Sequence, residues 1–224
     1  MISKESLKFL SDIKKNNNRE WFHANKPRYE KYKKEYQSIV GEILQEMQKY
    51  DPSLNHLKIK DCQFRINRDI RFSADKSPYK TNMAIWMSAG QKNTNLAGYY
   101  IHIEPGASFV AGGVYWPEAA DLKKIRNEIA FFHDDLVKIV SDKKFRAEFG
   151  ELDRDENNSL KTAPKGFEKD HPAIEFLKLK YFTATQKIDD KLLTEKDAVE
   201  KIAQKLIALK PLNQFINRAL TSEE

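Results

Sequence analysis

The apolar residues of this 224-residue chain change their spacing at about residue 60, and this change limits the folds open to the chain. Before residue 60, apolar side chains recur every three or four positions, which is the period of an amphipathic helix. After it, Cys62, Phe64 and Ile66 alternate with polar residues, and this pattern predicts a half-buried strand. A helical segment followed by closely spaced strands is typical of an α+β domain.

The helical N-terminal part is predicted to cover about residues 1–50. Ser3 is a predicted N-cap of a first helix, Asn18 caps a short second helix, and Pro27 suits the start of a third. The third helix carries one apolar stripe, formed by Tyr29, Tyr32, Tyr36, Ile39, Val40, Ile43, Leu44 and Met47. Its tyrosines lie among lysines and could form a nucleic-acid surface, although such tyrosines are more often the core face of a helix.

The central sheet is predicted between about residues 60 and 115. Three further strands are expected at 82–88, 97–104 and 108–115, with a polar loop, GQKNTN, at 90–95. Since no helix separates these strands, they should pair antiparallel. The glycine pair Gly112-Gly113 predicts a bulge or a close approach of two backbones.

Helical patterns return in the C-terminal part, about residues 117–224, where one more strand is expected at 180–188. The chain shows no internal repeat and no linker that would divide it. The sequence therefore predicts a single α+β domain over residues 1–224. Its antiparallel sheet of about four to six strands should be flanked by N-terminal and C-terminal helices.

Composition and local hydropathy exclude two classes of protein. The longest wholly apolar runs, such as residues 83–87, are too short to cross a bilayer, so no membrane partner is expected. The first residues carry charges inside any apolar core and do not form a secretory signal. Cys62 is the single cysteine, which fits a reducing compartment. We therefore expect a cytoplasmic protein, and the sequence leaves its oligomeric state open.

The net charge of +6 is unevenly distributed along the chain. Residues 1–80 hold 18 Lys and Arg against 11 Asp and Glu, whereas residues 81–224 hold 21 against 22. The positive excess therefore lies in the first third, where it can attract an anionic partner. A solvated basic surface is the simpler explanation.

The stretch FRINRDIRFSADKSPYKT, residues 64–81, contains three arginines, two lysines and two aspartates. If the strand continues past Ile66, Arg68 falls on the apolar face with Phe64. An arginine removed from water needs a carboxylate, several carbonyl groups or a bound anion. The two aspartates leave a charge of +3 in this stretch, so neutralisation is incomplete without a distant carboxylate such as Glu104.

Two interpretations of this stretch remain open. In the first, it binds a small ligand that carries phosphate or carboxylate, because arginine forks and lysine ammonium groups suit such anions. The ligand-binding residues would be Arg65, Arg68, Arg71, Lys76, Tyr79 and Lys80. In the second, Asp69 and Asp75 complete an internal ion-pair network that braces the fold, and function lies in a protein contact.

A third interpretation is a nucleic-acid-binding module that uses the basic first third of the chain. Its phosphate contacts would include Arg19, Lys26, Lys31 and Lys34. Such binding should weaken steeply with salt and tolerate changes of nucleotide sequence.

Acid–base chemistry has one candidate group in the predicted sheet. His102 shares a strand face with Tyr100 and Glu104, and imidazole groups titrate near neutral pH. An ordinary polar outer face of a sheet gives the same pattern. Together with Asp69 and Asp75, His102 is a candidate proton carrier, but the sequence indicates no reaction.

No cofactor or metal is expected from the sequence. The five histidines lack zinc-ligand spacing, and no glycine-rich phosphate loop is present. Cys62 lies on an apolar face, which argues against a nucleophilic thiol.

Four long segments carry a resemblance to a known family. They are NNNREWFHANKPRYE (16–30), RINRDIRFSADKSPYKTN (65–82), GYYIHIEPGASFVAGGVYWP (98–117) and KGFEKDHPAIEFLK (165–178). In order, they resemble the domain-of-unknown-function family numbered 2461 across most of the chain. The resemblance implies an intracellular α+β domain of unassigned activity, and it supplies no catalytic residues.

Overall fold

The computed structural model describes residues 1–90 and 94–222. It confirms the predicted fold class, with helices at both termini and a four-stranded antiparallel sheet in the order β1-β2-β3-β4. The strands are β1 (Met83–Ser88), β2 (Gly98–Ile103), β3 (Phe109–Val114) and β4 (Phe182–Lys187). The helices of these residues are α1 (Lys4–Lys15), α2 (Arg19–Ala24), α3 (Lys26–Tyr50), a 3-10 turn (Pro52–Leu54), α4 (Ile59–Cys62), α5 (Ala119–Phe131), α6 (His133–Ser141), α7 (Lys143–Phe149), α8 (Ile174–Leu177), α9 (Asp190–Leu193), α10 (Ala198–Ile207) and α11 (Lys210–Thr221).

The predicted starts of the first three helices are confirmed. The Ser3 hydroxyl accepts a hydrogen bond from the backbone N–H of Ser6, and the Asn18 side chain accepts one from Trp21. Each cap satisfies a backbone donor that has no partner inside the helix. Pro27 lies in the first turn of α3, where its missing N–H costs no helical hydrogen bond.

The described chain divides into two compact units. Unit 1 consists of Met1–Met87, Tyr100–Val110 and Lys187–Gln204, and unit 2 of Ser88–Tyr99, Ala111–Gln186 and Lys205–Glu224. The single domain expected from the sequence stays a prediction.

The core of unit 1 is formed where the apolar stripe of α3 meets α1, α2 and α4. Tyr32 and Tyr36 are buried there, so the tyrosine stripe is a core face. The ring of Phe9 packs 5.0 Å from that of Tyr32. The buried Tyr36 hydroxyl donates to the carbonyl of Ala84 and accepts from the N–H of Phe64 at 2.9 Å. These bonds attach α3 to the segment that carries the charged stretch.

In unit 2, α11 packs against α5 and α6, and the glycine pair of β3 lies against neighbouring backbone. A Cβ atom on Gly113 would lie 1.9 Å from the carbonyl oxygen of Phe182, and one on Gly112 would lie 2.9 Å from that of Gly98. Gly113 also has a φ of +113°. The predicted close approach of backbones is therefore confirmed.

The prediction of a strand from about residue 60 is wrong. Residues 59–62 form α4, closed by a hydrogen bond from the N–H of Lys58 to the Asp61 carboxylate at 2.9 Å. Beyond it, Gln63 and Asn67 lie in isolated antiparallel bridges, to Ile85 and Tyr79, and not in a named strand. The alternating pattern correctly indicated that Cys62 is buried. The Asp61 carboxylate, however, accepts from the backbone N–H of Lys58 at the start of the same turn, and this bond favours a helix there.

The other predicted strands, at 82–88, 97–104, 108–115 and 180–188, are confirmed, with ends that differ from the prediction by at most two residues. The polar loop predicted at 90–95 includes residues 91–93, which lie outside the described residues. Over the described parts of the chain, each helix is too short or too polar to cross a membrane.

Candidate functional site

The charged stretch forms a loop that begins and ends in a pair of antiparallel segments. The N–H of Arg68 donates to the carbonyl of Pro78 at 2.9 Å, and that of Lys80 donates to Ile66 at 2.7 Å. Residues 66–68 therefore lie beside residues 78–80, and the intervening residues close on themselves. This pairing places Arg68 and Lys80 at the base of one loop.

The Arg68 side chain is largely buried, with 27% of its surface exposed. Its Nη1 donates to the carboxylate of Asp75 and, at 3.1 Å, to the carbonyl of Ser77, while Nη2 lies 3.4 Å from the hydroxyl of Ser73. Carboxylate and carbonyl groups are the partners that a partly desolvated guanidinium requires. Arg68 therefore holds the far side of the loop against its base.

The side chains of Arg71 and Lys76 bind other residues of the same loop. Arg71 binds Asp69 with two hydrogen bonds, from Nε at 2.9 Å and from Nη2 at 2.7 Å. The Lys76 ammonium donates to the carbonyl of Ile70 at 3.0 Å. Arg65 is exposed, and no hydrogen bond joins its side chain to another described residue. Arg71 and Lys76 are therefore engaged by partners within the loop.

The two aspartates of the loop are ionised and hydrogen-bonded. The pKa of Asp75 is lowered to about 2, first by the hydroxyl and N–H of Ser77 and then by Arg68. Arg71 lowers the pKa of Asp69. Both carboxylates are therefore charged at neutral pH, and each neutralises one arginine. Glu104, the distant carboxylate considered for this role, pairs instead with Lys14 at 2.8 Å.

Tyr79 is held by Asn17 and by Phe22. The Asn17 amide accepts from the N–H of Tyr79 at 3.0 Å and donates to its carbonyl at 2.9 Å. The buried ring of Tyr79 stacks on that of Phe22 with centroids 4.0 Å apart. The backbone N–H and carbonyl of Tyr79 are thus hydrogen-bonded, and one face of its ring is covered by Phe22.

Two pockets of unit 1 adjoin this loop, and they share Arg68, Lys80 and Asn82. The first has a volume of about 380 Å³ and the second about 360 Å³. The first is also lined by Phe64, Asp69, Ala84 and Tyr100. The second is also lined by Lys14, Asn17, Asp75, Ser77, Tyr79 and Thr81. Of the six predicted ligand-binding residues, Arg68, Tyr79 and Lys80 line these two pockets, whereas Arg65, Arg71 and Lys76 do not.

The Lys80 ammonium lies 5.1 Å from the centre of the Phe64 ring, within cation–π range. Phe64 lines the first pocket too, so its ring holds the ammonium group at the pocket wall. The Lys80 charge therefore lies beside an aromatic ring that lines the same pocket.

A row of hydrogen-bonded side chains runs along β2 beside the first pocket. The Tyr100 hydroxyl lies 3.1 Å from Nδ1 of His102, and Nε2 of His102 lies 3.2 Å from Oε2 of Glu104. Lys14 and Thr81 donate to the other oxygen of Glu104, at 2.8 and 3.3 Å. The His102 ring stacks on Phe109, with centroids 4.7 Å apart and planes 10° apart. The predicted row is thus an ordered network.

Asn82 links this row to both pockets. Its amide Nδ2 lies 3.1 Å from Nδ1 and 3.3 Å from Nε2 of His102. Its Oδ1 is buried and accepts no hydrogen bond from the described residues. An amide oxygen without a donor is costly in a protein interior, and the described residues leave this acceptor without the donor that its burial requires.

The pocket residues that the sequence analysis did not predict as site residues include Lys14, Asn17, Thr81 and Asn82. Asn17 belongs to an asparagine run, which marked a helix boundary and gave no indication of a partner at Tyr79. Lys14 lies 90 residues from Glu104, and no local pattern indicates a contact over that separation. Asn82 directly follows the charged stretch and was assigned only to a strand start.

The described residues contain no group of three or more His, Cys, Asp or Glu side chains placed to hold a metal ion. The basic residues Arg19, Lys26, Lys31 and Lys34 are exposed on α2 and α3. The neighbouring Tyr32 is buried, as is Tyr36, so neither ring is available to stack on a base.

Comparison with curated proteins gave no match, and comparison with solved structures gave none either. The family model described as "Conserved hypothetical protein (DUF2461)" matches residues 5–215. The match includes every residue of the two pockets and of the row along β2. Because it spans nearly the whole sequence, the chain belongs to the DUF2461 family of conserved hypothetical proteins.

Proposed function

We propose that this chain acts in the cytoplasm and binds a small molecule that carries phosphate or carboxylate, in the pockets beside Arg68 and Lys80. The observation that carries the proposal is that Arg68, Lys80 and Asn82 line both pockets. Two cations and an amide therefore face the same space, together with the Asp69 carboxylate in the first pocket and the Asp75 carboxylate in the second. The pocket volumes fall in the range of small-molecule sites, about 300–1,000 Å³.

Arg68 keeps hydrogen-bonding capacity for a ligand although it braces the loop. A guanidinium has five N–H donors. The described partners of Arg68 are Asp75, Ser77 and Ser73, and they leave Nε–H and one N–H of Nη2 without a hydrogen bond to a described residue. A phosphate or carboxylate can accept from such adjacent donors. The ammonium group of Lys80 adds positive charge at the walls of both pockets.

Titration calorimetry with inorganic phosphate and with succinate tests this proposal, with a matched pair of variants. Lys80→Gln removes a charge from the pocket walls, whereas Lys76→Gln removes one from the same loop outside the two pockets. We expect one of the two anions to bind the wild type and Lys76→Gln alike, and to bind Lys80→Gln about tenfold more weakly. Binding of neither anion, or equal binding to both variants, would contradict the proposal.

The internal ion-pair network is the main alternative, and it is motivated by the pairs Arg68–Asp75 and Arg71–Asp69. Under this alternative, no anion raises the melting temperature, and Arg68→Ala unfolds or strongly destabilises the protein. Under the proposal, a ligand that binds only the folded state raises the melting temperature by mass action. Thermal unfolding with and without phosphate separates the two.

The nucleic-acid module remains a second candidate because Lys26, Lys31 and Lys34 are exposed along α3. Fluorescence anisotropy with a labelled single-stranded oligonucleotide tests it at increasing salt. This function requires an affinity that falls steeply with salt and drops further in a Lys31→Gln/Lys34→Gln variant. An absence of binding at low salt removes the candidate.

A further inference from the structure

Tyr100 lines the first pocket, and its hydroxyl lies 3.1 Å from Nδ1 of His102. We propose that Tyr100 is a catalytic residue that exchanges a proton with a small anionic molecule in this pocket. His102 is the base that receives the tyrosine proton, and Glu104 is the positioning residue that holds the imidazole. This inference rests on the proposed function, because the same pocket would hold the substrate.

The hydrogen bonds of His102 define which ring nitrogen accepts a proton. The Glu104 carboxylate can only accept, so Nε2 of His102 carries a hydrogen and donates it over 3.2 Å. In the neutral ring, Nδ1 then has a lone pair, and the Tyr100 hydroxyl is placed to donate to it. Asn82 Nδ2 lies 3.1 Å from the same nitrogen and 3.3 Å from Nε2, so the amide is a second donor beside Tyr100. Nδ1 therefore faces both the Tyr100 hydroxyl and the Asn82 amide.

Glu104 is held in its ionised form and in one position. Burial raises the pKa of Glu104, but hydrogen bonds from Lys14 and His102 outweigh burial and keep that pKa below its ordinary value. Thr81 donates to the same carboxylate. A fixed carboxylate behind an imidazole stabilises the imidazolium that forms when the ring takes up a proton.

The burial of this row separates it from an ordinary polar sheet face. The side chains of His102 and Glu104 are only 14% and 16% exposed, whereas outer-face residues are normally solvated. Burial also raises the pKa of Tyr100, so its hydroxyl needs a neighbouring base to lose a proton at neutral pH. Tyr100 is the residue of this row that lines the first pocket, and His102 lies behind Tyr100.

The proposed step is a coupled proton transfer. An acidic O–H, N–H or C–H bond of the bound molecule breaks, and its proton moves to the Tyr100 oxygen. The original tyrosine proton moves to Nδ1 of His102, which becomes an imidazolium paired with Glu104. The bound molecule keeps the electron pair of the broken bond, and the new negative charge faces Arg68 and Lys80. The reverse transfer restores all three residues.

Benzenesulfonyl fluoride tests this arrangement without knowledge of the substrate. The Tyr100 oxygen attacks sulfur, an S–O bond forms, the S–F bond breaks and fluoride leaves, while the phenol proton passes to His102. Tyr115 is the internal control: it is 69% exposed, and its hydroxyl makes no hydrogen bond to a described residue. Peptide mapping by mass spectrometry gives the rate of modification at each tyrosine.

We expect Tyr100 to react faster than the more exposed Tyr115, because only Tyr100 has a base at its hydroxyl. His102→Gln should slow the modification of Tyr100 about a hundredfold and leave Tyr115 unchanged. Glu104→Gln should slow Tyr100 less, as expected for a positioning residue. An unchanged melting temperature identifies variants that remain folded. A Tyr100 rate no higher than that of Tyr115, or one insensitive to His102→Gln, would overturn the inference.

The labelling needs no anion, so its result is independent of the calorimetry. Rapid labelling of Tyr100 in a protein that binds neither phosphate nor succinate would support the base at Tyr100 and count against the anion site. Anion binding with slow, His102-independent labelling would support the site and overturn the catalytic role of Tyr100.

Discussion

The ammonium of Lys14 lies 2.8 Å from a carboxylate oxygen of Glu104, and this pair joins helix α1 to the residue that follows β2. It is one of the two hydrogen bonds that hold the pKa of Glu104 down against the effect of burial. A carboxyl group whose pKa is depressed by folding adds stability at neutral pH. That contribution disappears as the pH falls through the folded-state pKa.

We therefore predict that Lys14→Met raises the pKa of Glu104 and lowers the free energy of unfolding at neutral pH by less than about 1 kcal/mol. Below the folded-state pKa, wild type and variant should be equally stable. Urea unfolding across a pH series measures the difference. Lys15→Met, at the exposed neighbouring position, is the control. A stability difference that does not change with pH would contradict the assigned pair.

The low pKa of Asp75 gives a second prediction, because its causes can be ranked. The hydroxyl and N–H of Ser77 lower it more than Arg68 does. In the wild type, NMR titration should give a pKa of about 2. Ser77→Ala and Arg68→Ala should each raise this pKa, since each removes a side-chain donor to the carboxylate. A variant in which the pKa of Asp75 stays at the wild-type value would contradict the assigned donor. Asp69, which pairs with Arg71, serves as the internal reference.

Tyr36 is predicted to stabilise unit 1 through its hydroxyl. Tyr36→Phe leaves the N–H of Phe64 and the carbonyl of Ala84 without this partner, at an expected cost of about 2 kcal/mol. Tyr29→Phe on the same helix is the control and should cost less than about 0.5 kcal/mol. Denaturant unfolding compares the two. Because burial raises the pKa of Tyr36 to about 12, the phenol should stay neutral throughout this measurement.

Gly113 is predicted to tolerate no side chain. Gly113→Ala combines a φ of +113° with a Cβ position 1.9 Å from the carbonyl oxygen of Phe182, so we expect a loss of at least about 3 kcal/mol. Gly106 also has a positive φ, of +77°, but no atom of the described residues lies within 4 Å of a Cβ atom there. Gly106→Ala should therefore cost only about 1 kcal/mol. Thermal unfolding measures both, and equal losses would contradict the contact with β4.

The sequence predicted those parts of the fold that depend on local chemistry. The caps at Ser3 and Asn18 act within three residues, so their signals lie entirely inside the segments that they start. The stripe on α3 was equally local. At Cys62, however, alternation described burial and not backbone shape, and a one-turn helix buries the residue just as well.

The candidate site was predictable only in part. Of the charged stretch, Arg68 and Lys80 line both pockets, while Arg65, Arg71 and Lys76 belong to the same pattern but lie outside the two pockets. Which arginine faces a pocket depends on where the loop closes, and that is decided by the pairing of residues 66–68 with 78–80. Contacts such as Lys14 with Glu104 arise only when distant segments meet.

The two hydrogen bonds between Asn17 and Tyr79 have a further consequence, for association between chains. One edge of residues 78–80 is paired with residues 66–68, and the Asn17 amide covers the backbone groups of Tyr79 on the other edge. A single side chain thus takes the place of a neighbouring strand. Exposed strand edges are templates for aggregation. By occupying the donor and acceptor of Tyr79, Asn17 denies a second chain the hydrogen bonds with which it would add a strand there.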